Sequence, residues 1–379
     1  MGFLKMEYEG DYRMNINFYM PTKVIIGKEC VKNNAVLMKE FGKKALIITG
    51  AGSAKKNGSL DDVIDVLNSN NIEFVIYDKV MSNPTVKCAY DGAEFAKNHR
   101  VDFIIAIGGG SPMDAAKAIN LLACQELTEE ELFEGKFHQD IMPMVFIPTT
   151  AGTGSEVTPY SILTYDKIES KKSISSPLLF PKLALLDAKY MINLPMTTTI
   201  NTTIDALSHA VEGMLSIRAT TLTNALAIES IEKITECFEA LSEKKLDFEQ
   251  REKLLYASMV AGMVISHTGT VAVHSMGYGL TYFKDIDHGR ANGLLLVNFL
   301  KLVNKHNKGM IDRLLKAMNF ETLEDFDKLL NTLLGEKETI SKEEFEKYAA
   351  IAIQTNNIKN CKVATTYEDL LDIYLRSFE

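Results

Sequence analysis

Asp205 and His209 stand four residues apart in Thr203-Ile204-Asp205-Ala206-Leu207-Ser208-His209-Ala210-Val211. In a helix, positions i and i+4 share a face, so one ion could see both side chains. Taken alone, a pair of this kind is more often a hydrogen bond than a metal site, but two further imidazoles accompany it. His274 lies in the apolar helical pattern Val271-Ala272-Val273-His274-Ser275-Met276-Gly277-Tyr278, and His288 opens His288-Gly289-Arg290-Ala291-Asn292-Gly293. A carboxylate with three neutral imidazoles suits a borderline divalent ion such as Fe(II), Zn(II), Mn(II) or Ni(II). Four protein donors would close a tetrahedral zinc, whereas Fe(II) readily accepts a fifth donor, so iron is favoured for catalysis. The expected chemistry is Lewis-acid activation of an alcohol or carbonyl oxygen. His267 precedes His274 by two helical turns of about 5.4 Å each, too far to share an ion, and is expected in the core or behind the site. His99, His138 and His306 sit in polar stretches and are expected at the surface.

A second cluster of chemistry-bearing residues is a turn. Ile104-Ile105-Ala106-Ile107 runs into Gly108-Gly109-Gly110-Ser111-Pro112 and then Met113-Asp114-Ala115-Ala116-Lys117. This reads as a strand, a turn free of side chains, and a helix with Ser111 as N-cap and Pro112 as its first residue. Glycines let the backbone approach a pyrophosphate, and the unpaired N–H groups of the helix start favour anions. A further strand exit, Ile47-Ile48-Thr49-Gly50-Ala51-Gly52-Ser53, lacks the carboxylate that would bind a ribose 2′-hydroxyl and carries Lys55 and Lys56 nearby, which points to NADP(H) rather than NAD(H). Pro148-Thr149-Thr150-Ala151-Gly152-Thr153-Gly154-Ser155-Glu156-Val157-Thr158, dense in hydroxyls, follows another apolar strand and could supply donors to a pyrophosphate and a nicotinamide amide.

The elements that must position these residues change character along the chain. Up to about residue 190, short apolar runs at 45–49, 74–77, 103–107 and 145–147 alternate with helical patterns at 61–68, 86–98 and 114–122, which predicts βαβ units and a mostly parallel sheet. The segment around Asn17 to Ile26, with Pro21-Thr22, reads as an edge hairpin. Beyond Pro195 apolar residues recur at three- and four-residue spacing with no convincing strand. The expectation is an α/β dinucleotide-binding domain over 1–193, an all-helical metal-binding domain over 194–379, and a cleft between them that hosts cofactor and substrate.

Composition narrows the class further. A net charge of −9 over 379 residues disfavours nucleic acid and anionic membranes as partners. Cys30, Cys88, Cys124, Cys237 and Cys361 are odd in number and never in C-x-x-C spacing, as expected of reduced thiols in a cytoplasmic protein. No apolar run approaches the roughly 18 residues needed to span a bilayer.

Taken in order, Gly108-Gly109-Gly110-Ser111-Pro112-Met113-Asp114, Pro148 through Glu156, Asp205-x-x-x-His209, and His274 with His288 fourteen residues later resemble the iron-containing alcohol dehydrogenase family over most of the chain. The resemblance implies that Asp205, His209, His274 and His288 hold the ion. It also implies cofactor contacts from Gly109, Gly110, Ser111 and Asp114 in the turn, from Thr149, Thr150 and Thr158 in the Pro-Thr-Thr segment, and from Asn83 and Lys171. Gly50 and Ser53, in Gly50-x-x-Ser53-x-Lys55-Lys56-Asn57-Gly58, resemble the NADP-using, butanol-dehydrogenase-like branch. Implied with these are hydride transfer between NADP(H) and a small primary alcohol or aldehyde, and a homodimer. Many members carry another histidine four residues after the one matching His274; here that position is Tyr278, which should face the same cleft and either hydrogen-bond substrate or narrow the pocket. The nearest alternative is a glycerol dehydrogenase or dehydroquinate synthase type, a polyol dehydrogenase with NAD and zinc, usually described with three protein ligands; the Asp205/His209 pair favours four. A non-catalytic nucleotide-binding or metal-storage protein is disfavoured because a full ligand set and a cofactor cradle occur together.

Overall fold

The computed structural model describes residues 16–137 and 140–379. Strands β1 (Lys23–Ile26), β2 (Lys44–Gly50), β3 (Glu73–Val80), β4 (Phe103–Gly108), β5 (Met144–Pro148) and β8 (Leu183–Leu186) form one sheet in the order β1-β8-β5-β4-β2-β3. Every pairing in it is parallel. Along β2, Leu46 and Ile48 enter one apolar cluster while Ala45 and Ile47 enter another on the opposite face. That alternation explains why these strands read as unbroken apolar runs: helices cover both faces. Helices α1 (Ser59–Ser69), α2 (Val86–His99) and α3 (Gly110–Cys124) fall where the helical patterns predict them, each slightly longer.

Three features depart from the sequence reading. The 17–26 segment is not a hairpin: Lys23–Ile26 adds to the sheet edge in parallel with Leu183–Leu186. Thr22 Oγ1 donates to the Pro181 carbonyl at 2.8 Å and Lys23 N to the Lys182 carbonyl at 3.1 Å. Its partner lies far along the chain, which a local turn signal cannot reveal. Ser111 is not the N-cap of α3; that position is Gly109, and Ser111 Oγ instead accepts the Asn83 N–H at 3.3 Å. Finally, β6 (Tyr160–Tyr165) and β7 (Ser170–Ser175) form a separate antiparallel hairpin that the sequence reading leaves unassigned.

From Met196 onward the described chain is helical apart from a single bridge, Ser216 to Cys361. The helices that matter for the site are α4 (Met196–Leu215), α5 (Phe248–Thr268), α6 (Ala272–Lys284) and α7 (His288–His306). They share one apolar core, built on residues such as Leu207, Val211, Val264 and Leu295. No single described helix is long and apolar enough to cross a membrane. The five cysteines are all free.

Candidate active site

Three helices bring the imidazoles to one carboxylate. Asp205 and His209 project from buried turns of α4, His274 from the first turn of α6 and His288 from the first residue of α7. Gly289 permits the last of these: a Cβ there would stand 1.9 Å from the Asn201 carbonyl oxygen, so only glycine lets α7 press against α4. Asp205 Oδ1 lies 3.9 Å from His209 Nε2, 3.7 Å from His274 Nε2 and 3.8 Å from His288 Nε2. These separations are too long for hydrogen bonds and match donors that share one ion at about 2.1 Å each. Ligand atoms of Asp205, His209 and His274 all lie within 4.8 Å of one another. His288 stands at the open edge, its side chain 24% exposed against 2% for His274.

The electrostatics agree with a cation site. Burial works to raise the pKa of the Asp205 carboxyl, yet the three imidazoles and the Asn292 amide outweigh it and hold it below its ordinary value. Burial pushes His209 down, and burial together with the nearby Lys171 ammonium pushes His288 well down, so both imidazoles are neutral and free to donate a lone pair. His274 differs. Burial works to lower it, but the Glu212 carboxylate reverses the sign.

Glu212 and Asn292 went unrecognised in the sequence. Glu212, fully buried on α4, accepts the N–H groups of Val271 at 3.1 Å, Val273 at 2.8 Å and His274 at 3.4 Å through Oε1, and its Oε2 meets His274 Nδ1. It therefore caps the start of α6 and fixes which imidazole nitrogen faces Asp205. Asn292 Nδ2 donates to Asp205 Oδ1 at 3.0 Å and lies 3.3 Å from both His274 Nε2 and His288 Nε2. A signal existed for each: Glu212 is i+3 from His209 and Asn292 is i+4 from His288.

A cavity of about 870 Å³ runs from this cluster to the glycine turn. Gly109, Gly110, Ser111 and Asp114 line it, as do Gly50, Ser53, Asn83, Thr150, Thr158 and Lys171. Thr149 does not; it is buried beneath, its N–H bonded to the Gly108 carbonyl at 2.9 Å. Gly108 has φ +150° and a Cβ on it would meet Pro112 Cγ at 2.6 Å, so the turn tolerates no side chain at its start. Lys117, which the sequence reading passes over, is fully buried and donates to Ser155, Thr158 and Tyr160 carbonyls at 2.7, 2.9 and 2.7 Å, pinning the hydroxyl-rich loop against α3. Asp114 completes that anchorage by accepting from Ser155 Oγ at 2.7 Å. Lys171 donates to Asn83 Oδ1 at 2.8 Å, and burial pushes its pKa down to about 8.

Tyr278 lines the cavity and stacks on His288, with ring centroids 5.4 Å apart and planes 18° from parallel. Lys55 turns to Asp61 as a surface ion pair and, like Lys56, does not line the cavity. His267 stacks on Phe18 at 4.2 Å, accepts the Tyr19 N–H at 2.9 Å and does not line the cavity. His306 is exposed, His99 is half-buried against Phe95 rather than free at the surface, and His138 lies outside the described residues.

A parallel sheet that ends in a phosphate-type turn, opposed across one cleft by helices carrying imidazoles around a carboxylate, defines a metal-assisted, dinucleotide-dependent oxidoreductase. Comparison with known proteins narrows the class. The sequence family described as iron-containing alcohol dehydrogenase matches residues 21–188, and its C-terminal counterpart, the Fe-containing alcohol dehydrogenase family, matches residues 199–378. The chain belongs to the iron-containing alcohol dehydrogenase family. Alcohol dehydrogenase 4 of Schizosaccharomyces pombe is 35% identical over 287 residues, 75% of this chain and 68% of that protein. An NADPH-dependent butanol dehydrogenase of Clostridium saccharobutylicum is 32% identical over 294 residues, 76% of this chain and 74% of the relative. Among solved structures, an iron-containing alcohol dehydrogenase of Thermotoga maritima superposes with a TM-score of 0.89 at 38% identity, covering 96% of this chain and 99% of the other.

Proposed function

We propose that this alcohol dehydrogenase interconverts a small primary alcohol and its aldehyde with NADP(H), so that aldehyde, NADPH and one proton yield alcohol and NADP+. Asp205, His209, His274 and His288 would hold a divalent ion, with Fe(II) favoured over Zn(II). The observation that carries this reading is the convergence of three imidazole nitrogens at 3.7–3.9 Å on one carboxylate oxygen, in a cavity continuous with the glycine turn. When bound, the ion supplies a Lewis acid and the dinucleotide a hydride carrier at nicotinamide C4.

The chain's own residues prepare that cleft. Glu212 holds the His274 ring in one orientation, and Tyr278 packs against His288 at the open edge. The N–H groups at the start of α3 would receive a pyrophosphate. Gly109, Gly110, Ser111, Asn83, Asp114, Thr150, Thr158 and Lys171 serve cofactor binding, while Thr149 supports the turn from below. Gly50 and Ser53 leave room for a 2′-phosphate with no carboxylate at that strand exit, which favours NADP(H). The division between cofactor and metal domains is placed between residues 193 and 194, and the working form is a cytoplasmic homodimer.

The test is NADPH oxidation with butanal on anaerobically purified protein, as prepared, after chelation, and after Fe(II) or Zn(II) is restored, with NADH in parallel. Activity lost on chelation and recovered best with Fe(II) and NADPH is expected. Equal rates with NADH would remove the cofactor assignment alone, and full activity in verified metal-free protein would overturn the metal assignment.

A further inference from the structure

The cavity has a second cationic end that neither the ion site nor the glycine turn uses. The hairpin β6–β7 forms one wall, and its alternate residues face inward: Lys171, Ser173 and Ser175 from β7, opposite Thr164, Ile162 and Tyr160 from β6. Lys171 marks the end beside Tyr278 and Asn83. Ser175 lies four strand residues further, about 13 Å away, and at that end the lining includes Arg218. Arg218 follows α4, the helix of Asp205 and His209; the helix end at Leu215 is about 9 Å of axial rise beyond His209.

The backbone beneath Arg218 is held by hydrogen bonds, while the residue itself is exposed at the cavity's rim. Ser216 Oγ accepts the Arg218 N–H at 3.1 Å and donates to the Thr268 carbonyl at 2.8 Å, and the Ile217 N–H donates to the Asn360 carbonyl at 2.8 Å. No described carboxylate pairs with the Arg218 guanidinium. The charge nevertheless reaches the cavity wall: burial raises the Tyr160 hydroxyl, and Arg218 is the cation that opposes the rise. The neighbouring lining is neutral and, apart from Ile265 and the Tyr160 ring, polar, with Asn357 Nδ2 held on Thr270 Oγ1 at 3.0 Å. The cavity's acidic residues lie elsewhere: Asp114 is bonded to Ser155, Asp205 belongs to the imidazole cluster, and Asp285 and Asp287 lie just before His288 in sequence. At the Arg218 end an alkyl chain would find only Ile265 and the Tyr160 ring, whereas a small anion would find a guanidinium that no described carboxylate pairs, with amide and hydroxyl donors beside it.

We propose that the Arg218 end of the cavity is a subsite for a small oxyanion carried by the substrate, so that the preferred aldehydes are short-chain oxo acids bearing a distal carboxylate or sulfonate rather than unsubstituted alkanals. This rests on the reading that the carbonyl binds at the Asp205 cluster. The anion anchors one end of the molecule and the ion site receives the other, which selects chain length as well as charge.

The test compares 4-oxobutanoate, 3-oxopropane-1-sulfonate and neutral butanal on metal-loaded enzyme, wild type and the variants Arg218→Ala and Arg218→Lys. In wild type, kcat/KM for at least one anion is expected to exceed that for butanal by on the order of tenfold, as one charge-assisted contact provides. The anion-to-neutral ratio is expected to collapse in Arg218→Ala, chiefly through KM, and to recover in part in Arg218→Lys; the better of the two anions identifies the head group. A ratio unchanged by Arg218→Ala, or no preference for either anion in wild type, overturns the subsite. Failure to reduce any of the three aldehydes would strike the dehydrogenase reading instead, and the subsite is then read without turnover by calorimetric titration of propane-1-sulfonate and butanoate. Binding weakened by Arg218→Ala supports it, and absence of binding of both anions overturns it.

Discussion

At the scale of single residues, the centre depends on groups that are not themselves ion donors. Glu212 carries no surface and spends its carboxylate on three backbone N–H groups and one imidazole nitrogen. Replacing it by glutamine keeps the volume but removes the charge that orients and enriches His274 as a donor. Glu212→Gln is therefore expected to weaken metal binding by about 10- to 100-fold, read by competition with a chromophoric chelator. Unaltered affinity in a folded variant would show that His274 is oriented by packing alone. Its position three residues after His209 made it readable as a same-face neighbour, but nothing in the local pattern says that α6 would begin against it.

At the level of elements, the proposed ion site depends on how closely α7 approaches α4. The distance is set where Gly289 meets the Asn201 backbone, which cannot move aside as a flexible side chain would. Gly289→Ala is expected to cost about 1–3 kcal/mol of stability and to displace His288 from Asp205, lowering activity further than the fold loss explains. Thermal denaturation alongside metal titration checks this, and a variant that keeps wild-type metal affinity would argue that the helices can separate without moving His288. The same reasoning applies to the loop that Lys117 anchors: one buried ammonium satisfies three carbonyls, so loop and α3 move as a unit.

At the level of the molecule, the sheet half and the helical half meet at one cavity, so if they hold a dinucleotide and an ion as proposed, ligands of either half should stabilise the whole. A ligand at about 100 times its Kd adds about 2.7 kcal/mol. Chelation is expected to lower Tm by a few degrees and Fe(II) or Zn(II) to restore it, while NADPH raises Tm more than NADH at equal concentration. Metal-free protein with an unchanged Tm would contradict an ion bound in the folded state.

What depends on short-range geometry is legible in the amino-acid pattern. Periodicity of 2 against 3.6 separates the sheet half from the helical half, i,i+4 spacing joins Asp205 to His209, and the scarcity of histidine leaves few partners for them. Gly108-Gly109-Gly110 is legible because a strand leads in and a helix leads out. Tertiary structure alone decided that Lys23–Ile26 pairs with Leu183–Leu186, that Ser111 serves Asn83 instead of capping its helix, that the β6–β7 hairpin walls the cavity, and that Arg218 reaches its far end. The reason is physical. Side-chain pattern reports which face of an element is buried, whereas the partner across that face is chosen by packing among segments tens to hundreds of residues apart.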